Sequence, residues 1–370
     1  MEIKEKNILV LGSGMMVEPL IDYLLKRKEN KITIASDVHE SAKSICDKKS
    51  RCFPEKIDVI KDDLKLGDLV KSHDLVISFV PAFLHMYVAI KCLEHNKHMV
   101  TASYISDEMK ALNDKAKEKK LIFMNEIGLD PGIDHIIAHK VIDDCKEDNS
   151  KIISYESWCG ALPSPDAIDN PLLYKFSWSP RGALNALKNS VIYLEDGEEK
   201  EINEENVLLS TVEKNFHDCF QFEGYYNRNS VKYREIYQLK DVKTLIRGTI
   251  RFKGFCFIIQ CFKILGLFNS TDEVKEDIPW RNYFEGFFST NTERIKESFK
   301  KWGTNFKISI YGLSEEDSEF YRKLVYYTIS HVNGDYLQRN DVNKLCNKFL
   351  QMIHFLNIND KNIIVLKLLI

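Results

Sequence analysis

The sequence predicts an α/β fold, in which a parallel-sheet domain precedes an α+β domain with a mixed sheet and a helical subdomain. Two observations predict the first domain: short apolar strands alternate with helical segments up to about residue 130, and a glycine turn follows the first strand. Such alternation, with strands that are apolar throughout, is typical of a parallel sheet covered by helices on both faces. A change of pattern after residue 134 predicts the second domain.

The first 37 residues contain the elements of a Rossmann-type dinucleotide site. A strand at 7–11 ends at Gly12-Ser13-Gly14, a helix begins at Val17, and a second strand at 31–35 is followed by Asp37. Glycines let the backbone approach a pyrophosphate, and the helix N-terminus supplies N–H groups. The carboxylate can bind the ribose hydroxyls of NAD and would repel the 2′-phosphate of NADP. Because Val17 replaces the usual third glycine, an ordinary strand-to-helix turn is the alternative.

The other strands of the first domain predict where a ligand binds. Strands are expected at 74–80, 97–101 and 121–126, and a helix at 108–119. Ligands bind beyond the carboxyl ends of parallel strands. The segments of interest are therefore 12–16, 79–82, 101–104 and 126–131.

The second half of the chain is predicted more coarsely. A helix with Asp134 as its N-cap is expected at 134–144, and the predicted strands are 152–159, 190–193, 232–238 and 249–252. Residues 361–370 resemble a further strand. The predicted domains are 1–133 for dinucleotide binding, 134–254 for substrate and catalysis, 255–350 as a helical subdomain, and 351–370 as a return to the second sheet.

Composition excludes several classes of function. The chain has 370 residues and a formal net charge of −3, so no excess of positive charge favours nucleic acid or an anionic membrane. No apolar run approaches the roughly 20 residues of a membrane span, and no signal peptide is evident. Nine cysteines without a C-x-x-C pair predict free thiols and a cytoplasmic location. We expect a small-molecule substrate; a homodimer is left open.

Side chains near the predicted strand ends are candidates for chemistry. Ser103 and Tyr104 can offer hydroxyls to a ligand, and a plain strand-to-helix turn is an equal alternative. Asp130 lies in a loop rich in glycine and proline, where a carboxylate can bind an amine or cap the next helix. Cys159 ends a predicted strand and either faces a cofactor or is one more buried thiol.

Arginines and histidines carry competing interpretations. Guanidinium groups bind carboxylates through two parallel hydrogen bonds, so clustered arginines favour a substrate with several carboxylates. A solvated basic face is at least as good an interpretation. The four arginines concerned are Arg228, Arg234, Arg247 and Arg251. His135 and His139 have metal-ligand spacing on one helix face, but no third ligand is evident, so we expect no metal. The remaining histidines are interpreted as ordinary helix and loop residues: His85, His95 and His98.

Taken together, these residues resemble the L-glutamate-forming saccharopine dehydrogenases, also called saccharopine reductases. Two long and specific matching runs are NEIGLDPGIDH at 125–135 and DNPLLYKFSWSPRG at 169–182. Further runs are LGSG at 11–14, DLVISFVP at 74–81, MVTASYIS at 99–106, YYNRNS at 225–230 and LIRGTIRFKGF at 245–255. The resemblance covers most of the chain to about residue 360.

The resemblance implies an oxidoreductase of lysine degradation. Members of this family oxidise saccharopine with a nicotinamide cofactor and water to L-glutamate and 2-aminoadipate 6-semialdehyde. Hydride leaves the ε-carbon of the lysine-derived half, and the resulting imine is hydrolysed. Tyr104, Asp130 and Cys159 are implied to lie nearest the reacting carbon. Asp130 would favour the amine or iminium, while Tyr104 and Cys159 would orient substrate or water.

The resemblance also implies the binding residues. Asp58 and Val59 are expected near the adenine. The other expected cofactor-binding residues are Gly12, Ser13, Gly14, Met15, Met16, Ser36, Asp37, Leu129, Asp130, Pro131 and Ser179. Saccharopine carries three carboxylates, and the expected substrate-binding residues are Ser103, Tyr104, Asp130, Arg228, Thr249, Ile250 and Arg251.

Two departures from the family pattern affect these expectations. Fungal members carry an arginine where Asp37 stands, which suits NADP, whereas Ser36-Asp37 resembles the animal and plant type, which uses NAD. NAD is therefore the predicted cofactor and NADP the alternative.

Animal enzymes of this type are mitochondrial, so that compartment is the alternative to the cytoplasm. Family members also continue beyond residue 370, so we expect a truncated chain.

Two alternative functions remain open at this point. One is a truncated, non-catalytic homologue that binds NAD. The other is a related NAD-dependent enzyme that acts on a different secondary amine.

Overall fold

The computed structural model of the protein describes residues 4–168, 172–216, 220–264 and 268. The described residues up to Lys151 form one compact unit, and the described residues from Ile152 form a second. The helical segments predicted beyond residue 268 and the strand predicted at 361–370 lie outside the described residues.

The first unit is built on a six-stranded sheet. Its strands are Lys6–Leu11 (β1), Asn30–Ser36 (β2), Cys52–Lys56 (β3), Leu75–Ser78 (β4), His98–Thr101 (β5) and Phe123–Met124 (β6). The strand order is β3-β2-β1-β4-β5-β6, and all neighbouring strands are parallel. This is the order of a doubly wound dinucleotide-binding sheet. The predicted parallel sheet is therefore confirmed.

Helices cover both faces of this sheet. They are Val17–Leu24 (α1), His39–Cys46 (α2), Asp63–Ser72 (α3), His85–Glu94 (α4), Asp107–Ala111 (α5), Asn113–Glu118 (α6) and Ile133–Glu147 (α7). Alternate residues of β1 point to opposite faces, so Leu9 packs with Val88 in one core while Val10 packs with Ile21 in the other. The helix predicted at 108–119 is interrupted at Leu112, between α5 and α6.

The second unit contains a mixed sheet. Its strands are Ser154–Cys159 (β7), Val191–Glu195 (β8), Glu198–Ile202 (β9), Val212–Lys214 (β10), Phe222–Tyr226 (β11) and Thr244–Phe252 (β12). β12 pairs antiparallel with β11 and β8 and parallel with β7. The mixed sheet predicted for this domain is therefore confirmed.

The helices described in the second unit are Pro180–Ala186 (α8), Tyr233–Ile236 (α9) and Phe255–Ile264 (α10). The strand predicted at 232–238 is wrong, because α9 occupies that segment. Tyr233 and Tyr237 are both buried, and their ring centroids lie 5.3 Å apart. Residues four apart share one face of a helix, and this pairing stabilises the helical turn. Across the described residues, no helix has the length and apolar character needed to cross a membrane.

Candidate active site

The turn after β1 brings the backbone against β4 and leaves open space beyond it. Gly12 has a φ of +103°, and a Cβ at this position would lie 2.7 Å from the carbonyl oxygen of Phe79. A Cβ on Gly14 would meet no described atom within 4 Å. Helix α1 then begins at Val17 without a side-chain cap. An open turn that leads into an uncapped helix N-terminus fits a pyrophosphate.

The end of β2 is linked to this turn through side-chain hydrogen bonds. Ser13 Oγ donates to Ser36 Oγ at 2.8 Å, and Ser36 Oγ lies 3.3 Å from Oδ1 of Asp37. The N–H of Val38 also donates to this Oδ1, at 3.0 Å. The sheet therefore brings Ser13, Ser36 and Asp37 together, with Asp37 exposed just beyond the end of β2.

The segment after β3 is next to this region in the sheet order. The carboxylate of Asp58 accepts hydrogen bonds from the N–H groups of Ile60 and Lys61, which lower the pKa of Asp58. The side chain of Val59 is buried in the core. Of these two predicted adenine neighbours, only Asp58 thus exposes its side chain.

A loop at 125–132 closes the ligand-binding edge beside β5. The N–H of Glu126 donates to the carbonyl of Ser103 at 3.1 Å, and the N–H of Ile105 donates to Glu126 Oε1 at 3.0 Å. These bonds place the loop against the segment that carries Tyr104. The phenol of Tyr104 donates to Oδ1 of Asp130 at 2.5 Å. The structure therefore brings two of the predicted catalytic residues into direct contact.

Asp130 does not cap α7, and neither does Asp134. Gly132 is the N-cap residue of α7, and the Oδ1 of Asp134 accepts the N–H of Gly132 at 2.7 Å. The predicted N-cap is therefore wrong by two positions. The two other predicted cofactor contacts in this loop, Leu129 and Pro131, flank Asp130, and the Asp130–Pro131 peptide is cis.

A buried histidine lies beneath this edge, at a position that the sequence analysis interpreted as an ordinary helix residue. His85 is the first residue of α4 and is 4% exposed. Its Nδ1 lies 2.8 Å from Ser78 Oγ, and its Nε2 lies 2.8 Å from Ser103 Oγ and 3.1 Å from Thr101 Oγ1. Burial lowers the pKa of His85 to about 4. The available signal was its position just after a strand end, where hydroxyl residues also cluster.

His135, one of the two histidines considered for a metal, has acidic neighbours. His135 Nε2 lies 3.3 Å from Glu126 Oε2, and its Nδ1 lies 3.8 Å from Asp134 Oδ2. Within the described ranges, no group of three or more histidine, cysteine, aspartate or glutamate side chains is placed to hold a metal ion.

In the second unit, β7 and β12 bring a further set of predicted residues together. Cys159, a partly buried cysteine, lies opposite Thr249 in the parallel register. Thr249, Ile250 and Arg251 follow one another in β12. Gly248, opposite Trp158, has no room for a Cβ, which would lie 2.1 Å from the indole. This packing fixes the end of β7 against β12.

The guanidinium of Arg251 is held among aromatic rings. Its Cζ lies 4.6 Å from the ring centroid of Tyr174 and 5.2 Å from that of Phe255. Nη1 donates to the carbonyl of Ile250 at 2.8 Å, whereas Nε is buried and has no hydrogen-bond partner among the described residues. A buried donor without a partner is costly, so this arrangement suits a ligand that supplies an acceptor.

The other arginines differ in their surroundings. Arg247 is buried with its Cζ 4.3 Å from the ring centroid of Tyr233, and Arg234 donates to the carbonyl of Lys240. Arg228 has a φ of +52° and its carbonyl accepts the N–H of Ile192. Ser179, predicted as a cofactor contact, accepts the N–H of Gly182 as the N-cap of α8.

Comparison with known proteins agrees with this geometry. A family model described as the saccharopine dehydrogenase NADP binding domain matches residues 8–124, and one described as the saccharopine dehydrogenase C-terminal domain matches residues 128–343. The chain belongs to the saccharopine dehydrogenase family. The resemblance found in the sequence is therefore confirmed, and the first unit contains a nicotinamide-dinucleotide-binding domain.

Individual relatives support the same family. The mitochondrial alpha-aminoadipic semialdehyde synthase of Bos taurus is 41% identical over 266 residues, which are 72% of this chain and 29% of the relative. The NADP(+), L-glutamate-forming saccharopine dehydrogenase of Pyricularia oryzae is 38% identical over 75% of this chain and 61% of the relative. The chain thus spans less than two thirds of either relative.

A solved structure also matches the fold. The apo saccharopine dehydrogenase (L-Glu forming) of Saccharomyces cerevisiae has a TM-score of 0.71 and 29% identity. The match covers 94% of this chain and 77% of the yeast chain. The two-domain α/β architecture predicted from the sequence is therefore that of the saccharopine dehydrogenase fold.

Proposed function

We propose that this chain is an oxidoreductase that oxidises saccharopine with NAD⁺ and water to L-glutamate and 2-aminoadipate 6-semialdehyde in lysine metabolism. The observation that carries the proposal is the contact between Tyr104 and Asp130 at the carboxyl edge of the dinucleotide-binding sheet. A carboxylate at this edge suits a substrate whose reacting group is an amine that becomes an iminium ion. Membership of the family supports the same substrate.

Asp130 is proposed to stabilise positive charge on the reacting amine. The nicotinamide, when bound, supplies the acceptor for the hydride that leaves the ε-carbon of the substrate. The substrate nitrogen then carries the positive charge of an iminium, which a fixed carboxylate stabilises more than it stabilises the neutral amine. Water adds to the iminium carbon, both hydrogens of that water pass to the nitrogen, and the C–N bond breaks to release the aldehyde and glutamate with its ammonium group. Tyr104 holds the carboxylate, and no dedicated general base is proposed.

The carboxylates of the substrate are proposed to bind to residues of the second unit. The buried Nε of Arg251 lacks an acceptor among the described residues, which supports a carboxylate at that position. Thr249 and Ile250 precede it on β12, and Arg228 is proposed to bind a further carboxylate. Cys159, opposite Thr249 in the register, is proposed to orient substrate or water.

NAD is proposed as the preferred cofactor because of Asp37. Its carboxylate is exposed just beyond β2 and is linked to the turn at Ser13 through Ser36. A carboxylate accepts hydrogen bonds from ribose hydroxyls and repels a 2′-phosphate. Fungal relatives are named as NADP(+) enzymes, so the proposed preference separates this chain from them.

A single assay tests the proposal. Purified chain is incubated with saccharopine and either NAD⁺ or NADP⁺, and reduction of the nicotinamide is followed by absorbance. We expect turnover with NAD⁺ and release of glutamate in equal amount. A folded chain that binds NAD⁺ but reduces it with neither saccharopine nor another secondary amine would be the non-catalytic homologue. Turnover with a different secondary amine alone would replace saccharopine as the substrate.

A further inference from the structure

His85 connects the ends of two neighbouring strands beneath the ligand-binding edge. Ser78 and Thr101 are register partners at the ends of β4 and β5. The imidazole spans these two positions, with Nδ1 2.8 Å from Ser78 Oγ and Nε2 3.1 Å from Thr101 Oγ1. The same Nε2 lies 2.8 Å from the hydroxyl of Ser103, which is half-buried at the edge itself. His85 therefore contacts Ser103 directly, and Ser103 is itself a proposed substrate contact.

The ring of His85 is neutral under ordinary conditions. Only 4% of the residue is exposed, and burial lowers the pKa of the imidazole to about 4. A neutral imidazole has one donor nitrogen and one acceptor nitrogen. The hydroxyls around the ring therefore have different roles: one donates to the acceptor nitrogen, and another accepts from the donor nitrogen.

Either ring nitrogen can carry the hydrogen, and the two arrangements give Ser103 opposite roles. With the hydrogen on Nε2, the fully buried Ser78 donates to Nδ1 at 2.8 Å, and Nε2 donates toward Ser103 Oγ at 2.8 Å. Thr101 Oγ1 already accepts the N–H of Ser103 at 3.3 Å. With its oxygen engaged by the imidazole, Ser103 directs its own hydrogen away from the core, where it can be donated to a ligand.

We propose that His85 is a positioning residue that holds the Ser103 hydroxyl as a hydrogen-bond donor to a carboxylate of the substrate. This inference rests on the proposed function, because it assigns the ligand of Ser103 to the saccharopine carboxylates. His85 itself touches neither substrate nor cofactor. Its effect is therefore transmitted only through Ser103.

A double-mutant cycle tests this coupling. His85→Asn retains a polar atom near the place of Nδ1 but does not reach Ser103, and Ser103→Ala removes the hydroxyl. Each substitution is expected to raise KM for saccharopine about 10- to 100-fold, the effect of losing one hydrogen bond to a charged group, with little change in KM for the nucleotide. The double variant is expected to match Ser103→Ala alone. Effects that multiply would overturn the inference.

Rescue and a matched control separate positioning from general stability. His85→Gln can place an amide nitrogen near the position of Nε2, so it is expected to recover most of the affinity for saccharopine. His73 is another buried histidine of the same unit, two residues before β4, with Nε2 2.8 Å from Thr33 Oγ1. His73→Asn is expected to lower thermal stability without changing KM. A rise in KM equal to that of His85→Asn would contradict the proposal.

A measurement without turnover distinguishes failure of the inference from failure of the proposed function. The ¹⁵N chemical shifts of the His85 ring, recorded by NMR at neutral pH, are expected to show a neutral ring protonated on Nε2. A charged ring, or a hydrogen on Nδ1, overturns the inference alone. A wild-type chain that binds nucleotide but does not oxidise saccharopine overturns the proposed function, whatever the tautomer.

Discussion

The hydroxyl of Tyr104 donates to Oδ1 of Asp130 across 2.5 Å, although the two residues are 26 positions apart. Backbone hydrogen bonds from Glu126 and Ile127 to the carbonyls of Ser103 and Thr101 hold the two segments together. A hydrogen bond to a charged acceptor is stronger and more directional than one between neutral groups. The phenol therefore fixes the orientation of the carboxylate before any ligand binds.

Substitutions of this pair are expected to lower kcat more than they raise KM. Asp130→Asn removes the negative charge that is proposed to stabilise the iminium, and we expect a loss of about 100-fold or more in kcat. Tyr104→Phe removes only the orienting hydrogen bond, and we expect a loss of about 10-fold. Initial rates at saturating saccharopine measure both.

The matched control is Tyr87→Phe, which removes a phenolic hydroxyl from an exposed position on α4. It is expected to leave kcat unchanged. A Tyr104→Phe variant as active as the wild type would contradict the role given to this hydrogen bond.

Asp37→Arg is expected to reverse the choice of cofactor. The substitution replaces a carboxylate that repels a 2′-phosphate with a guanidinium that binds one. We expect the ratio of kcat/KM for NAD⁺ to kcat/KM for NADP⁺ to fall by about 100-fold, since a new charge-assisted contact and a lost repulsion both contribute. Asp47→Arg makes the same change of charge at an exposed position after α2. A similar fall in that control would point to net charge instead of the ribose contact.

Arg251 is expected to determine affinity for saccharopine. Arg251→Met removes the charge while keeping an apolar side chain among the aromatic rings, and KM for saccharopine should rise about 10- to 100-fold. Arg251→Lys should recover only part of this, because an ammonium lacks the planar fork that stacks and binds a carboxylate through two hydrogen bonds. Arg234→Met, at an exposed arginine of α9, is the control and should leave KM unchanged. Full recovery by lysine would show that charge alone is sufficient.

The parallel sheet was predictable because its strands are buried on both faces. Leu9 and Val76 are completely buried, and each belongs to an uninterrupted apolar run, 8–11 in β1 and 75–77 in β4. β3 was not predicted, since it lies at the sheet edge and contains Pro54, Glu55 and Lys56. Polar residues and proline are tolerated at an edge, and they remove the apolar pattern on which the prediction depends.

Candidate site residues were predictable where they lie directly after the end of a strand. Asp37 and Tyr104 lie just beyond β2 and β5, and sequence position alone places them at the ligand-binding edge. The role of His85 could not be found in this way, because it depends on hydroxyls from residues 7, 16 and 18 positions away. Such a cluster exists only once the strands are paired.

The stability of the first unit is expected to depend on pH through His85. The pKa of His85 is about 4 in the folded chain, whereas the ordinary value for histidine is 6.5. Between these two pH values the unfolded chain therefore binds more protons than the folded chain. Stability therefore falls as the pH is lowered through this range, by about 3 kcal/mol in total. His85→Gln, which does not titrate, should lack this loss. Unfolding by urea at about pH 4.5 and about pH 7.5 measures the difference between the two proteins. If the wild-type and variant free energies of unfolding change in parallel between these conditions, His85 is not buried as a neutral ring.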